Sequence, residues 1–261
     1  METKKILHMG DDDSLCWEYE GKKYLAHVQL DEMANDPRNR DTLTIMACFH
    51  NMYILGDDLE DKTPEEFWQW LVRENVPEKE IYEAVAAGKL TGLRLDAVAD
   101  HLYDDLTVRH CMMLMEPYAV WLPLWLYDHS GITMSCGART GQYADPWDSG
   151  YVGWIIAMKD TIMREFGTLT DKTWRKRAIE TMESDVDIYN KYITNDVYGY
   201  TLYAPESVED EDGFDLAEKD SCWGFYGSNI FESGMANYLP GFEEAFDAGT
   251  YKAVHTEKSV H

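Results

Sequence analysis

The chain has 261 residues, with 49 Asp and Glu against 23 Lys and Arg, a formal charge of −26 at pH 7. A surface this acidic repels phosphate backbones and anionic lipid headgroups, so direct binding to nucleic acid or to a membrane surface is not expected. Nor is it a disordered acidic segment. Its 45% hydrophobic and 13% aromatic content fits one large domain or two small ones with a buried core.

In chain order, Met1 to His8 contains no apolar core of the signal-peptide kind before Asp11-Asp12-Asp13, so no leader is expected. The uncharged apolar run Pro117 to Tyr127 falls far short of the ~20 residues a membrane helix needs. The first sixty residues read as extended. Lys23 to Leu30 and Thr42 to His50 are rich in β-branched and aromatic residues and flank a polar, proline-containing turn at Asn35 to Asn39. At Thr63-Pro64-Glu65-Glu66 the pattern changes to a capping box with proline at the first helical position, and Phe67, Trp70 and Leu71 are expected to line one face. Further helices are expected over Glu78–Ala87, ending at Gly88, and over Leu95–Leu106.

From Pro117 to Tyr127 the chain returns to strand, with Pro123 demanding an edge or a bulge. Short strands follow at Gly131–Ser135 and Tyr151–Ala157. Between Asp171 and Ile193, Trp174, Ala178, Met182, Val186, Tyr189 and Ile193 recur at steps of three and four, the buried stripe of a long helix. Asp196–Tyr203 and Cys222–Gly227 read as strands joined by a solvated acidic loop, Glu206–Lys219. A last helix is expected over Met235–Phe246. Strands mixed with blocks of helix, without regular alternation, indicate an α+β fold. The expected organisation is one domain over residues 1–249 with a mainly antiparallel sheet, a helical insertion at 63–106 and the packing helix at 171–193. Residues 250–261 would be a flexible tail.

The five cysteines, Cys16, Cys48, Cys111, Cys136 and Cys222, are odd in number and lack zinc-ligand spacing, so free thiols are expected and a structural zinc site is not. The densest polar cluster in an apolar setting is Asp128-His129-Ser130-Gly131, followed by Asp145-Pro146-Trp147-Asp148-Ser149-Gly150. Short polar residues at strand ends are a common way to present a site, and a His beside carboxylates suits general-base or metal chemistry. Asp128, His129, Asp145 and Asp148 are the candidate catalytic residues, with Ser130, Trp147 and Ser149 as binding residues. Neither serine lies in a GxSxG elbow. The plainer reading makes the segment a turn, with His129 a satisfied polar residue.

His50, Asp57 and Asp58 are the candidate ligands should a divalent metal bind, although Gly56-Asp57-Asp58 also reads as an ordinary turn. Cys222-Trp223-Gly224-Phe225-Tyr226-Gly227 puts three aromatics between glycines. Trp223 and Tyr226 could stack a ring, or the segment is a core strand with a bulge. Arg175-Lys176-Arg177 is expected to pair with acids of the chain. The acidic runs are scattered through the sequence, which suits either an acidic surface of no special role or one that occupies the nucleic-acid groove of a basic protein.

These motifs also carry a resemblance. Cys48-Phe-His50 with Tyr53 and Leu55-Gly-Asp57, Leu126-Tyr-Asp-His-Ser-Gly-Ile-Thr133, Asp145-Pro-Trp-Asp-Ser-Gly150, Asp196-Val-Tyr-Gly-Tyr200 and Asp220-Ser-Cys-Trp-Gly-Phe-Tyr-Gly227 resemble an uncharacterised family of proteins carried by bacteriophages and integrated elements of gut and soil bacteria. The likeness spans about residues 42–228. Arg40-Asp41-Thr42-Leu43-Thr44 departs from the family's Trp-Asp-Asn-Leu-Gly pattern. The resemblance implies no catalytic role. It implies an accessory protein of the bacterial host cytoplasm, and with the acidity it suggests counter-defence, an inhibitor of a basic host immune or nucleic-acid-handling protein. The alternative is a binder of a nucleotide signal or a metal-dependent hydrolase centred on Asp128, His129 and Asp148.

Overall fold

A computed structural model describes residues 4–93, 102–167, 169–205 and 216–255. In chain order the strands are β1 (Asp13–Tyr19), β2 (Lys22–Leu30), β3 (Thr44–Cys48), β4 (Ala119–Asp128), β5 (Ile132–Cys136), β6 (Ser149–Met158), β7 (Val197–Pro205), β8 (Leu216–Tyr226) and β9 (Tyr251–Val254). The helices are α1 (Pro64–Asn75), α2 (Glu78–Ala86), α3 (Val108–Met115), α4 (Lys159–Phe166), α5 (Asp171–Ile193) and α6 (Phe242–Ala248). The fold is α+β, and both of its sheets are antiparallel, with strand orders β8-β7-β2-β1-β9 and β3-β6-β4-β5. Among the described residues no helix is long and apolar enough to cross a membrane.

The chain divides into two compact units, one formed by Met1–Pro37 with Ile188–His261, the other by Arg38–Asp187. In the first, β1 and β2 form a hairpin through Glu20 and Gly21, both at positive φ, the backbone that a tight two-residue turn between twisted strands requires. One face of its sheet buries Leu15, Trp17, Ala26, Val28, Tyr200 and Phe225 against Phe242 of α6. In the second unit, α1, α2 and α3 bury Phe67, Trp68, Leu71, Ile81 and Met115 with Ile156 of β6. Each fully buried side chain of this size stabilises the fold by roughly 1.5–3 kcal/mol relative to exposure.

Local chemistry explains the start of α1. Thr63 accepts from the Glu66 backbone while the Glu66 carboxylate returns to the Thr63 N–H, closing the expected box on α1. The buried face of α1 differs from the expectation and consists of Phe67, Trp68, Leu71 and Val72. Trp68 is sealed in the core, whereas Trp70 is 37% exposed. Helix α5 spans the expected residues, with Trp174, Ala178 and Met182 fully buried. Arg175, Lys176 and Arg177 pair along it with Asp171 and Glu180.

Pro123 sits in β4, a central strand, where its carbonyl accepts from Gly137 N–H just beyond the last β4–β5 pair. In an antiparallel strand the N–H and C=O of one residue point the same way, so the missing N–H would face Gly137, whose carbonyl accepts instead from the Trp125 indole N–H. A register shift follows at Leu124/Trp125. The helix expected over Met235–Phe246 is broken by Pro240-Gly241 into a short 3-10 turn, Met235–Tyr238, and α6. The tail expected from residue 250 begins instead as β9, paired with β1 from Ser14 to Trp17. Helices α3 and α4 were not expected. Residues 95–101 of the helix expected at Leu95–Leu106, residues 206–215 of the acidic connection and residues 256–261 of the tail lie outside the described residues. Residues 216–219, expected as loop, belong to β8.

Candidate functional site

In the second unit three chain segments bring part of the expected polar cluster together. Strand β4 ends at Asp128, the turn His129-Ser130-Gly131 reverses the chain with Ser130 at φ 58°, and the segment before β6 returns alongside, with Asp128 N–H donating to Asp148 O at 2.7 Å. This places His129 Nδ1 3.1 Å from Asp148 Oδ2. The Tyr53 hydroxyl donates to Asp128 Oδ2 at 2.9 Å, and this bond raises the Tyr53 pKa. His50 stacks on Tyr53 at 5.1 Å, and its Nδ1 accepts from the Met52 and Tyr53 N–H groups, a local turn cap.

The remaining candidates serve the turn. Ser149 Oγ donates to Tyr143 O and to Asp145 O. Asp145 accepts from Trp147 N–H, and the Trp147 side chain projects outward, 91% exposed. Arg139, which no local pattern marked, lies over the Trp125 ring and donates to Tyr143 O, Asp145 O and Ser149. A histidine held by a carboxylate can act as a base, yet among the described residues no hydroxyl or thiol bonds the His129 ring. The His129 side chain is 61% exposed, so no desolvated pocket surrounds the pair.

Asp57 does not join this cluster, and His50, Asp57 and Asp58, the ligands named should a metal bind, stand in separate contacts. Asp57 grips Arg38 through two bonds, Nε to Oδ1 at 2.6 Å and Nη2 to Oδ2 at 3.0 Å, while Arg38 also reaches Asp185 and Thr44. Burial alone would lower the Arg38 pKa, but the bond to Asp57 and the charges of Asp57 and Asp185 hold it above its ordinary value. Asp58 accepts from Glu60 N–H in a turn. Among the described residues no group of three or more His, Cys, Asp and Glu side chains is placed to hold a metal ion. All five cysteines are free, and burial, with help from Asp57, pushes the Cys48 thiol up to about 12.

The first unit presents a second site that sequence alone did not assemble. Its two segments carry 23 acidic and 8 basic residues, a net of −15, and the other unit carries 26 and 15, a net of −11. The first is also the smaller, so its charge is denser. Across its sheet Gln29, Gly199 and Trp223 stand in one row on one face. The register shift opposite Tyr198/Gly199, with Gly224 at φ 87°, puts Phe225 in the core and turns Trp223 outward, 47% exposed.

Trp223 lies so close over Gly199 that a Cβ there would stand 2.1 Å from its Cε3. Around this indole, Asp11, Asp12, Asp31 and Glu32 line an open cleft of about 630 Å³ with Met33, which is 90% exposed. The cleft wall is tied down: Leu30 N–H donates to Asp11, Met33 N–H to Asp31, and the Tyr226 hydroxyl to Asn35 O at 2.6 Å. Tyr226 therefore fixes a loop, and Trp223 is the aromatic open to a ligand. No family model, curated protein or solved structure matches this chain.

Proposed function

We propose that this chain is a bacteriophage-encoded accessory protein of the bacterial host cytoplasm that inhibits a basic immune or nucleic-acid-handling protein of the host. It does so by presenting carboxylates where that protein expects phosphates. The observation that carries this reading is the set of carboxylates, Asp11, Asp12, Asp31 and Glu32, gathered around one cleft of the first unit in a chain of net charge −26. Fixed charge of one sign on a rigid surface steers a basic partner and speeds association. In the test, phage are plated on a host with a nucleic-acid-targeting defence, with and without the chain, and binding to the purified defence protein is followed as salt rises. Restored plating, with binding that weakens in salt, is the expected result. Full protection by the defence in the presence of the chain, without any binding at low salt, would sink the proposal.

A second reading, capture or hydrolysis of a nucleotide signal, draws on the His129–Asp148 contact. It expects Asp148→Asn to abolish the plating effect while the melting temperature stays within a few degrees of the parent. If Asp148→Asn behaves like the parent, chemistry at this pair is excluded.

A further inference from the structure

We propose that the Trp223 cleft is a socket for one arginine side chain of the basic partner, an inference that rests on the basic-partner reading above and names the contact it uses. The aromatic face comes first. Trp223 lies against Gly199, and about half of its surface is open. An indole face attracts cations through its quadrupole, and tryptophan does so best of the aromatic side chains. The rim comes second. Asp31 and Glu32 on one loop and Asp11 on another share the cleft with that indole, so a cation seated on the ring meets carboxylates at its edge.

Arginine fits this pairing better than lysine. Its planar guanidinium stacks on an aromatic ring and keeps its edge donors free for carboxylates in bidentate geometry, whereas an ammonium is a strongly hydrated point charge. A wholly apolar occupant would strip water from these carboxylates without replacing their hydrogen bonds. A metal ion is disfavoured by the arrangement, since these acids form no group placed to hold one among the described residues.

The full chain is titrated at low and physiological salt with two fluorescent probes, nona-arginine and nona-lysine, alongside Trp223→Ala, Trp223→Phe and Asp31→Asn/Glu32→Gln. Circular dichroism and melting temperature confirm that each variant is folded. The parent chain is expected to prefer the arginine probe by about ten-fold. Trp223→Ala erases that preference and weakens arginine binding by about five- to ten-fold, Trp223→Phe retains part of it, and the double carboxamide variant weakens both probes. If Trp223→Ala binds both probes as the parent does, the socket is wrong while the basic-partner reading stands. If the parent chain binds neither probe at low salt, the basic-partner reading fails and the socket with it.

Discussion

Arg38 is the residue on which the second unit's polar interior turns. Its side chain is 3% exposed, and its guanidinium joins the Thr42–Thr44 segment, Asp57 after β3 and Asp185 on α5. A buried ion network of this kind adds little over a well-packed apolar substitute, but removing one member strands the others. Arg38→Met is therefore expected to destabilise the chain by about 3–5 kcal/mol, read from urea unfolding, because two partly buried carboxylates lose their counter-charge. A loss below about 1 kcal/mol would mean that water already satisfies Asp57 and Asp185. In the sequence nothing distinguished this arginine from Arg40 two residues on. Its meaning comes from Asp57 and Asp185, which are 19 and 147 residues away.

At the scale of elements, what the sequence revealed was local. The Thr63–Glu66 box and the stripe from Trp174 lie within a few turns of one helix, and both elements stand where their own residues put them. Thr63→Ala is expected to cost about 1 kcal/mol by freeing N–H groups at the start of α1, measured as a shift in the thermal or urea midpoint, with Thr63→Ser close to the parent. Equal loss in both variants would point to the threonine methyl instead. Strand β1 lies within the stretch that reads as extended, but its bounds and its Glu20-Gly21 turn emerge only in the structure. The break at Pro240-Gly241 is written in the sequence, since proline cannot sit inside the helix expected over Met235–Phe246. The candidate site divides the same way. The His129–Asp148 contact joins two turns flagged from their composition, whereas the Trp223 cleft needs β2, β7 and β8 side by side, a pairing that no local pattern encodes.

For the whole molecule, a charge of −26 acts in two opposite directions. Self-repulsion works against the compact state, so salt should stabilise the isolated chain, while the same salt should weaken its hold on a basic partner. Raising ionic strength from ~0.01 M to ~0.15 M is expected to lift the melting temperature by about 2–4 °C if screening relieves about 1 kcal/mol. Differential scanning fluorimetry in graded NaCl measures this directly. A falling midpoint would show that ion pairs such as Lys5 with Glu243 and Asp247 outweigh the repulsion. The opposed signs also separate a loss of binding from a loss of fold in any salt titration.

The first unit is built from chain on both sides of the second, with β2 paired to β7 and β1 to β9. During synthesis the β1–β2 hairpin leaves the ribosome long before its neighbours exist. At about 5–20 residues per second, the delay until β7 emerges is on the order of ten to thirty seconds. Throughout that interval the faces of Leu15, Trp17 and Val28 have no sheet to join, while Arg38–Asp187 is translated as a continuous stretch. Nascent chains halted before Val197 should thus carry an exposed apolar hairpin, a natural client for the chaperones waiting at the tunnel exit.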